Sequence, residues 1–126
     1  MSMKRKPTEA ELEILRILWE HGPCTVRYIN DLLNESRTVG YTTTLKIMQI
    51  MLEKQLLLRK IKNNRHIYSA RITEKAAQSM LTDRIINTVF AGSASKLIMQ
   101  ALGNYKTSRQ ELETIREMIN KLEKDQ

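Results

Sequence analysis

The chain has 126 residues, 41% of them hydrophobic, which bounds it to one or two small globular domains. Aromatics are 5%, and four glycines with two prolines leave little for sandwich turns or disordered tracts, so a helix-rich fold is favoured. The net charge of +7 points to an anionic partner, and one cysteine, Cys24, excludes an internal disulfide and every multi-cysteine zinc pattern.

The start, MSMKRKPTEAE, lacks the apolar core of a signal peptide, and no stretch approaches the roughly 20 apolar residues that span a bilayer. A cytoplasmic chain without membrane insertion is expected. Thr8, with Glu11 three residues later and Pro7 before it, is a capping box; Leu12, Leu15, Leu18 and Trp19 then form an apolar face until Gly22 and Pro23. Thr25 can cap a second helix, whose Val26, Ile29, Leu32 and Leu33 recur at three and four before the polar break Asn34-Glu35-Ser36. Cys24 reads as a small buried residue, and Trp19 and the methionines as core.

The third helix opens in GYTTTLKIMQIM. Thr42, Lys46, Gln49 and Glu53 share an arc of roughly 60°, while Leu45, Ile47, Met48, Met51 and Leu52 take the remaining circumference. This predicts a helix buried on most sides with one polar stripe. Hydroxyl, ammonium and amide groups can bond phosphates and base edges, and the Thr43 methyl can meet a thymine methyl. The stripe suits a recognition helix; it equally suits a core helix whose outer side faces water.

The period then changes. LLLRKIKNNRHIYSA reads as two strands, about 57 to 62 and 65 to 70, around Asn63-Asn64, with Lys62 and Arg65 flanking the turn. From Lys54 to Ile72 there are six Lys/Arg and no acidic residue; residues 1–72 hold 13 Lys/Arg against 7 Asp/Glu, and residues 73–126 hold 8 against 7. Three helices and a basic hairpin describe a winged helix, with the third helix in the major groove and the wing beside the duplex backbone. Threonines at the front of that helix keep its side chains short where its backbone must approach DNA.

After Thr73, a capping candidate, Ala76, Ala77, Met80, Leu81, Ile85, Ile86, Val89 and Phe90 form one apolar face, which Gly92 breaks. Ala94, Leu97, Ile98, Ala101 and Leu102 form a shorter one before Gly103, and Ser108 with Glu111 opens a last helix carrying Leu112, Ile115, Met118 or Ile119, and Leu122. No sheet covers these helices. A second copy of the chain is the expected cover, with back-packing onto the winged helix as the other arrangement. The reading is a mainly α chain: a winged helix-turn-helix over 1–72 and a three-helix dimerisation region over 73–126.

Catalytic motifs are absent: there is no glycine-rich phosphate loop, no G-x-S-x-G turn and no H-E-x-x-H helix. His21 and His66 stand 45 residues apart without a thiol or carboxylate partner at ligand spacing, so no metal, cofactor or enzymatic activity is expected.

From about Thr8 to Lys121 the chain resembles the penicillinase repressor family, which includes the methicillin-resistance and copper-operon repressors. The resemblance lies in TEAELEILRILWE, TTTLKIMQIMLEKQLL, KNNRHIYSA, and TVFAGSASKLIMQAL leading to SRQELETIREMIN, in that order and spacing. It implies a homodimer on double-stranded inverted-repeat operator DNA and repression of a resistance or stress operon. Carried over, it places Thr42, Thr43, Thr44, Lys46 and Arg65 on the DNA. Tyr41, Gln49 and Lys62 complete the expected DNA-binding set, and Met80, Ile85, Val89, Phe90, Leu97, Ile98, Leu102, Leu112, Ile115 and Ile119 the expected dimer contacts.

Two departures stand out. Copper members end in a cysteine-rich motif where this chain has NKLEKDQ, which removes the copper expectation. β-Lactam members are inactivated by cleavage at an Asn-Phe bond, a step that implies a membrane sensor metalloprotease as partner; the matching bond here is Gln100–Ala101. A winged-helix regulator that senses a small molecule in its C-terminal helices is the alternative reading.

Overall fold

The computed structural model describes residues 6–126; the first five residues of the segment read above for a signal core lie outside it. The elements run α1 (Glu9–His21), α2 (Val26–Leu33), α3 (Tyr41–Glu53), β1 (Leu57–Lys62), β2 (Arg65–Ala70), α4 (Glu74–Thr88), α5 (Ala94–Asn104) and α6 (Arg109–Lys124). This is a mainly helical winged helix whose sheet, among the described residues, is one antiparallel pair. The chain divides into two compact units, the first ending at Met80 and the second running Leu81–Gln126.

In the first unit, α1 starts at the capping box: the Thr8 hydroxyl accepts from the Glu11 N–H at 3.2 Å and the Glu11 carboxylate from the Thr8 N–H at 2.9 Å. Glu11 has a second task that local sequence does not reveal. Its carboxylate accepts from the Lys54 ammonium at 2.8 and 3.0 Å, and the two side chains are only 5% and 13% exposed. The pair ties the start of α1 to the end of α3. Lys54 is therefore withdrawn from the basic run in which it was counted.

Ile14, Leu15 and Leu18 of α1 pack with Val26, Ile29 and Leu33 of α2 and Met48 and Met51 of α3. Trp19 lies at the edge of this core and donates its indole N–H to the Ile72 carbonyl at 2.9 Å, joining α1 to the chain just after the wing. Thr25 caps α2, accepting from the Tyr28 N–H at 3.1 Å. The intervening Cys24 exchanges both backbone hydrogen bonds with Tyr68 at 2.9 and 2.7 Å, so a one-residue bridge docks the wing onto the helices. Cys24 is buried, and burial pushes its thiol pKa up, away from reactivity.

The α3 helix ends at Lys54, followed by Gln55 with φ of 65°. The Leu56 N–H returns to the Met51 carbonyl at 2.9 Å and the Gln55 N–H to the Leu52 carbonyl at 3.1 Å, a Schellman arrangement with buried Leu56 and Met51 as its apolar contact. Glutamine thus occupies a left-handed position where glycine is the unstrained residue. The strands pair from Leu57 opposite Ala70 to Lys62 opposite Arg65, and Asn63 and Asn64 turn at φ of 54° and 63°. Both the spans and the two-residue turn agree with the sequence reading.

In α4, Thr73 caps through the Ala76 N–H at 3.1 Å, and Ala77 is buried. Phe90 falls past the helix end, in the turn where Ala91 and Gly92 both take positive φ. Ser93 caps α5. Gly103 does not end that helix as its sequence position suggests, since α5 continues to Asn104. Ser108 and Glu111 form the capping box of α6, and hydrogen bonds from the Ser108 N–H and then its hydroxyl hold the Glu111 carboxyl below the usual carboxylate range. From Leu81 to Gln126 no residue is buried.

Lys54→Met strands the Glu11 carboxylate in the core and should lower stability by about 3 kcal/mol, read as a reduced urea midpoint. Replacing both partners, Glu11→Leu with Lys54→Met, should recover part of that loss; equal losses would mean that the carboxylate is not desolvated. Gln55→Gly relieves the left-handed strain and should stabilise by about 1 kcal/mol, visible as a raised melting temperature.

Candidate nucleic-acid interface

The position of α3 is set from α2 by two asparagines one helical turn apart. The Asn30 amide, in a residue 6% exposed, donates to the Thr44 hydroxyl at 2.7 Å and to the Val39 and Gly40 carbonyls at 3.1 and 3.2 Å. Asn34 donates to the Asn30 and Val39 carbonyls at 2.7 and 2.8 Å and accepts from the Val39 N–H at 2.9 Å. Seven residues between the helices, 34–40, are thereby closed into one turn by side chains that bond the Val39 N–H and the Val39 and Gly40 carbonyls. Arg37, from the same turn, pairs with Glu13 of α1.

This arrangement corrects one predicted contact. Thr44 is fully buried, and its hydroxyl is occupied by Asn30 and by the Gly40 carbonyl at 3.4 Å. Its side chain is a fixed part of the core and is not available to DNA. The other expected α3 residues, Tyr41, Thr42, Thr43, Lys46 and Gln49, are exposed. The open face is wider than the stripe read from sequence. Thr43 and Ile50 extend it to roughly 120°, leaving about two thirds of the circumference to buried and half-buried residues. Ile50, 40% exposed, puts an apolar surface beside Lys46 and Thr43.

Two further features sit at the front of α3. The preceding residue, Gly40, provides no side-chain cap, so no side chain takes up the first backbone N–H groups. The Arg27 guanidinium of α2 lies over the Tyr41 ring, 4.6 Å from its centroid.

In the wing, pairing places Lys60, Lys62, Arg65 and Ile67 on one side of the hairpin, since residues directly opposite share a face and side chains alternate along each strand. Lys60, Lys62 and Arg65 are exposed, and none is in an ion pair among the described residues. The opposite side carries Ile61, 71% exposed, across from His66.

Sequence reasoning missed Arg27, Asn30, Asn34 and Ile50. The Asn30/Asn34 spacing of four was visible, but an asparagine pair at that spacing acquires meaning only when a second helix brings acceptors to it.

Within the second unit, the expected dimer residues Val89, Ile98 and Ile119 are 67, 51 and 50% exposed. Ile85, Leu102 and Leu112 are exposed and Phe90, Leu97 and Ile115 half-buried, while Met80, also half-buried, falls in the first unit. Gln100 and Ala101 are exposed in the interior of α5. Among the described residues no group of three His, Cys, Asp or Glu side chains could hold a metal ion, and no helix is long and apolar enough to cross a membrane.

A family model described as penicillinase repressor matches residues 7–121. No match is found among curated proteins. Similar solved structures include the monomeric form of BlaI from Bacillus licheniformis in complex with the blaP half-operator, 20% identical over 60% of this chain and 93% of that one, with a TM-score of 0.52. A variant of ZitR from Lactococcus lactis is 22% identical, covering 99% and 79% of the two chains at a TM-score of 0.47. A probable transcriptional regulator from Pseudomonas aeruginosa is 20% identical, covering 95% and 81% at 0.48. The family match along almost the whole chain, together with helices and a wing in their expected order, makes this chain a member of the penicillinase repressor family of winged-helix transcriptional regulators.

Proposed function

We propose that the chain is a dimeric, sequence-specific repressor that acts in the cytoplasm, laying α3 in the major groove of each half of an inverted-repeat operator and setting its wing against the backbone. The observation that carries this reading is the open face of α3. Thr42, Thr43, Lys46 and Gln49 stand free there on a helix locked by Asn30. A rigid helix with free donors is what base-edge readout requires. The solved BlaI complex supports DNA as the ligand, since that protein shares the fold and is bound to its half-operator.

Roles follow from position. Lys46 projects from the centre of the open face and Gln49 from its edge, and both read base edges; Thr43 and Ile50 offer methyl groups to thymine; Thr42, at the front of the helix, meets phosphate. Lys62 and Arg65 at the wing end hold backbone phosphate without reading sequence.

Dimerisation is supported by the second unit having no buried residue while Val89, Ile98, Met99, Met118 and Leu122 stand more than half exposed. A second copy covers such surface with the same surface of its own. If a membrane sensor metalloprotease releases the operator by cutting Gln100–Ala101, it must first unwind the middle of α5. The small-molecule alternative is favoured by one observation, an open groove of about 520 Å³ lined by Phe90, Lys96, Met99, Gln100 and Asn104. A ligand-dependent rise in melting temperature would bring that reading forward.

Binding to a duplex selected from random sequence by the full-length protein tests the proposal. Lys46→Ala should lose about 1 to 3 kcal/mol of discrimination at one base pair of each half-site. Arg65→Ala should weaken selected and scrambled duplex by similar factors and lower the salt slope by about one per wing. The reverse pattern would exchange the roles of helix and wing.

Thr44→Val removes a buried hydroxyl and should cost about 1 kcal/mol of stability with unchanged DNA affinity, whereas Thr42→Val should weaken DNA without destabilising the fold. Sedimentation of the full chain should give two copies per particle; a monomer at tens of micromolar would remove the dimer from the proposal.

A further inference from the structure

We propose that Arg27 and Tyr41 form a phosphodiester clamp on the flank of α3, a site for one backbone phosphate per protomer, in which Tyr41 positions and Arg27 binds. The inference rests on the reading of the chain as a DNA-binding protein and adds a contact made from α2, outside both the groove helix and the wing.

The geometry carries it. Arg27 is exposed, and among the described residues its side chain forms no ion pair and no hydrogen bond, although Asp31 lies one turn further along α2. Its guanidinium is instead held over the Tyr41 ring, 4.6 Å from the centroid. The contact is to the ring and uses no acceptor atom, so among the described residues the five guanidinium N–H donors have no hydrogen-bond partner and remain for an anion. The side chain is thus oriented before a ligand arrives, and less freedom is lost per hydrogen bond formed. A phosphate, with two oxygens matching the guanidinium fork, is the group such an edge binds well.

Location separates this site from base readout. Around the α3 axis, Tyr41 lies roughly 80° beyond Gln49, outside the open arc, on the side where Thr44 meets Asn30 of α2. Side chains on the flank of a groove helix face the sugar–phosphate strand at the rim of the groove, so the contact supplies affinity and register without sequence information. Tyr41 contributes its ring, and the phenol hydroxyl has no necessary part in the clamp.

The test uses the full-length protein with a duplex it selects from random sequence and a scrambled duplex of equal length, titrated across a salt series. Arg27→Ala should weaken both by the same factor, about tenfold at low salt, and lower the salt slope by about one per protomer. Tyr41→Phe should bind as the parent does, Tyr41→Ala should match Arg27→Ala, and the double variant should be no weaker than either single one, because the two residues act as a unit. Both side chains are exposed, so melting temperatures should hold; if that of Arg27→Ala falls, Arg27→Gln, which keeps part of the aliphatic stem, should show the same loss of slope.

Unchanged affinity and slope in Arg27→Ala, or a Tyr41→Phe loss equal to that of Tyr41→Ala, would overturn the clamp while leaving DNA binding intact. Failure of the parent protein to select or bind any duplex would instead overturn the DNA-binding reading, and the clamp with it.

Discussion

The amide of Asn30 holds the helices of the first unit in register. One side chain satisfies the Val39 and Gly40 carbonyls and the Thr44 hydroxyl, so it links α2, the turn and α3 at once. A buried amide left without partners is costly, which makes this arrangement nearly all-or-none: either the turn closes as observed or several polar groups are stranded together. The direction of α3, and with it the set of side chains on its open face, follows from that closure. Glu11 and Lys54 act in the same sense at the other end of α3, pinning it to the start of α1.

Elements governed by local chemistry were legible in the sequence. Both capping boxes, at Thr8 and Ser108, form as their spacing implies, because donor and acceptor lie three residues apart on the same chain segment. The strands from Leu57 to Lys62 and Arg65 to Ala70 were equally legible, since two asparagines able to take positive φ leave only a tight turn between them. The polar stripe Thr42, Lys46, Gln49 and Glu53 is exposed as its period requires.

What sequence could not supply was pairing across elements. Thr44 looks identical to Thr42 and Thr43 in a run of threonines, and only the approach of α2 turns it into a core residue. Lys54 looks like the first cation of a basic run, yet its partner is 43 residues away. Arg27 sits in a short helix whose polar residues read as ordinary solvent contacts until Tyr41 of the next helix arrives beneath it. In each case periodicity correctly gives the degree of freedom along one helix, and the crossing of two helices decides how it is used. Gln55 fails for a different reason: a left-handed residue after a helix is signalled by glycine, and glutamine carries no such signal although the Schellman hydrogen bonds form around it.

The charge of the first unit divides accordingly. Arg37 and Lys54 are engaged by Glu13 and Glu11 and serve the fold, so formal charge overstates what a polyanion would meet. The cations left without carboxylates include Arg27, Lys46, Lys60, Lys62 and Arg65, all exposed on α2, α3 or the wing. Lys62 and Arg65 are directly opposite each other at the end of the hairpin, where like charges repel and cost stability. A wing selected for stability alone would place an opposite charge at one of those positions. An anion between the two strands' ends would turn that repulsion into attraction on both sides, so the part of the wing least favourable in isolation is the part that gains most from a phosphate.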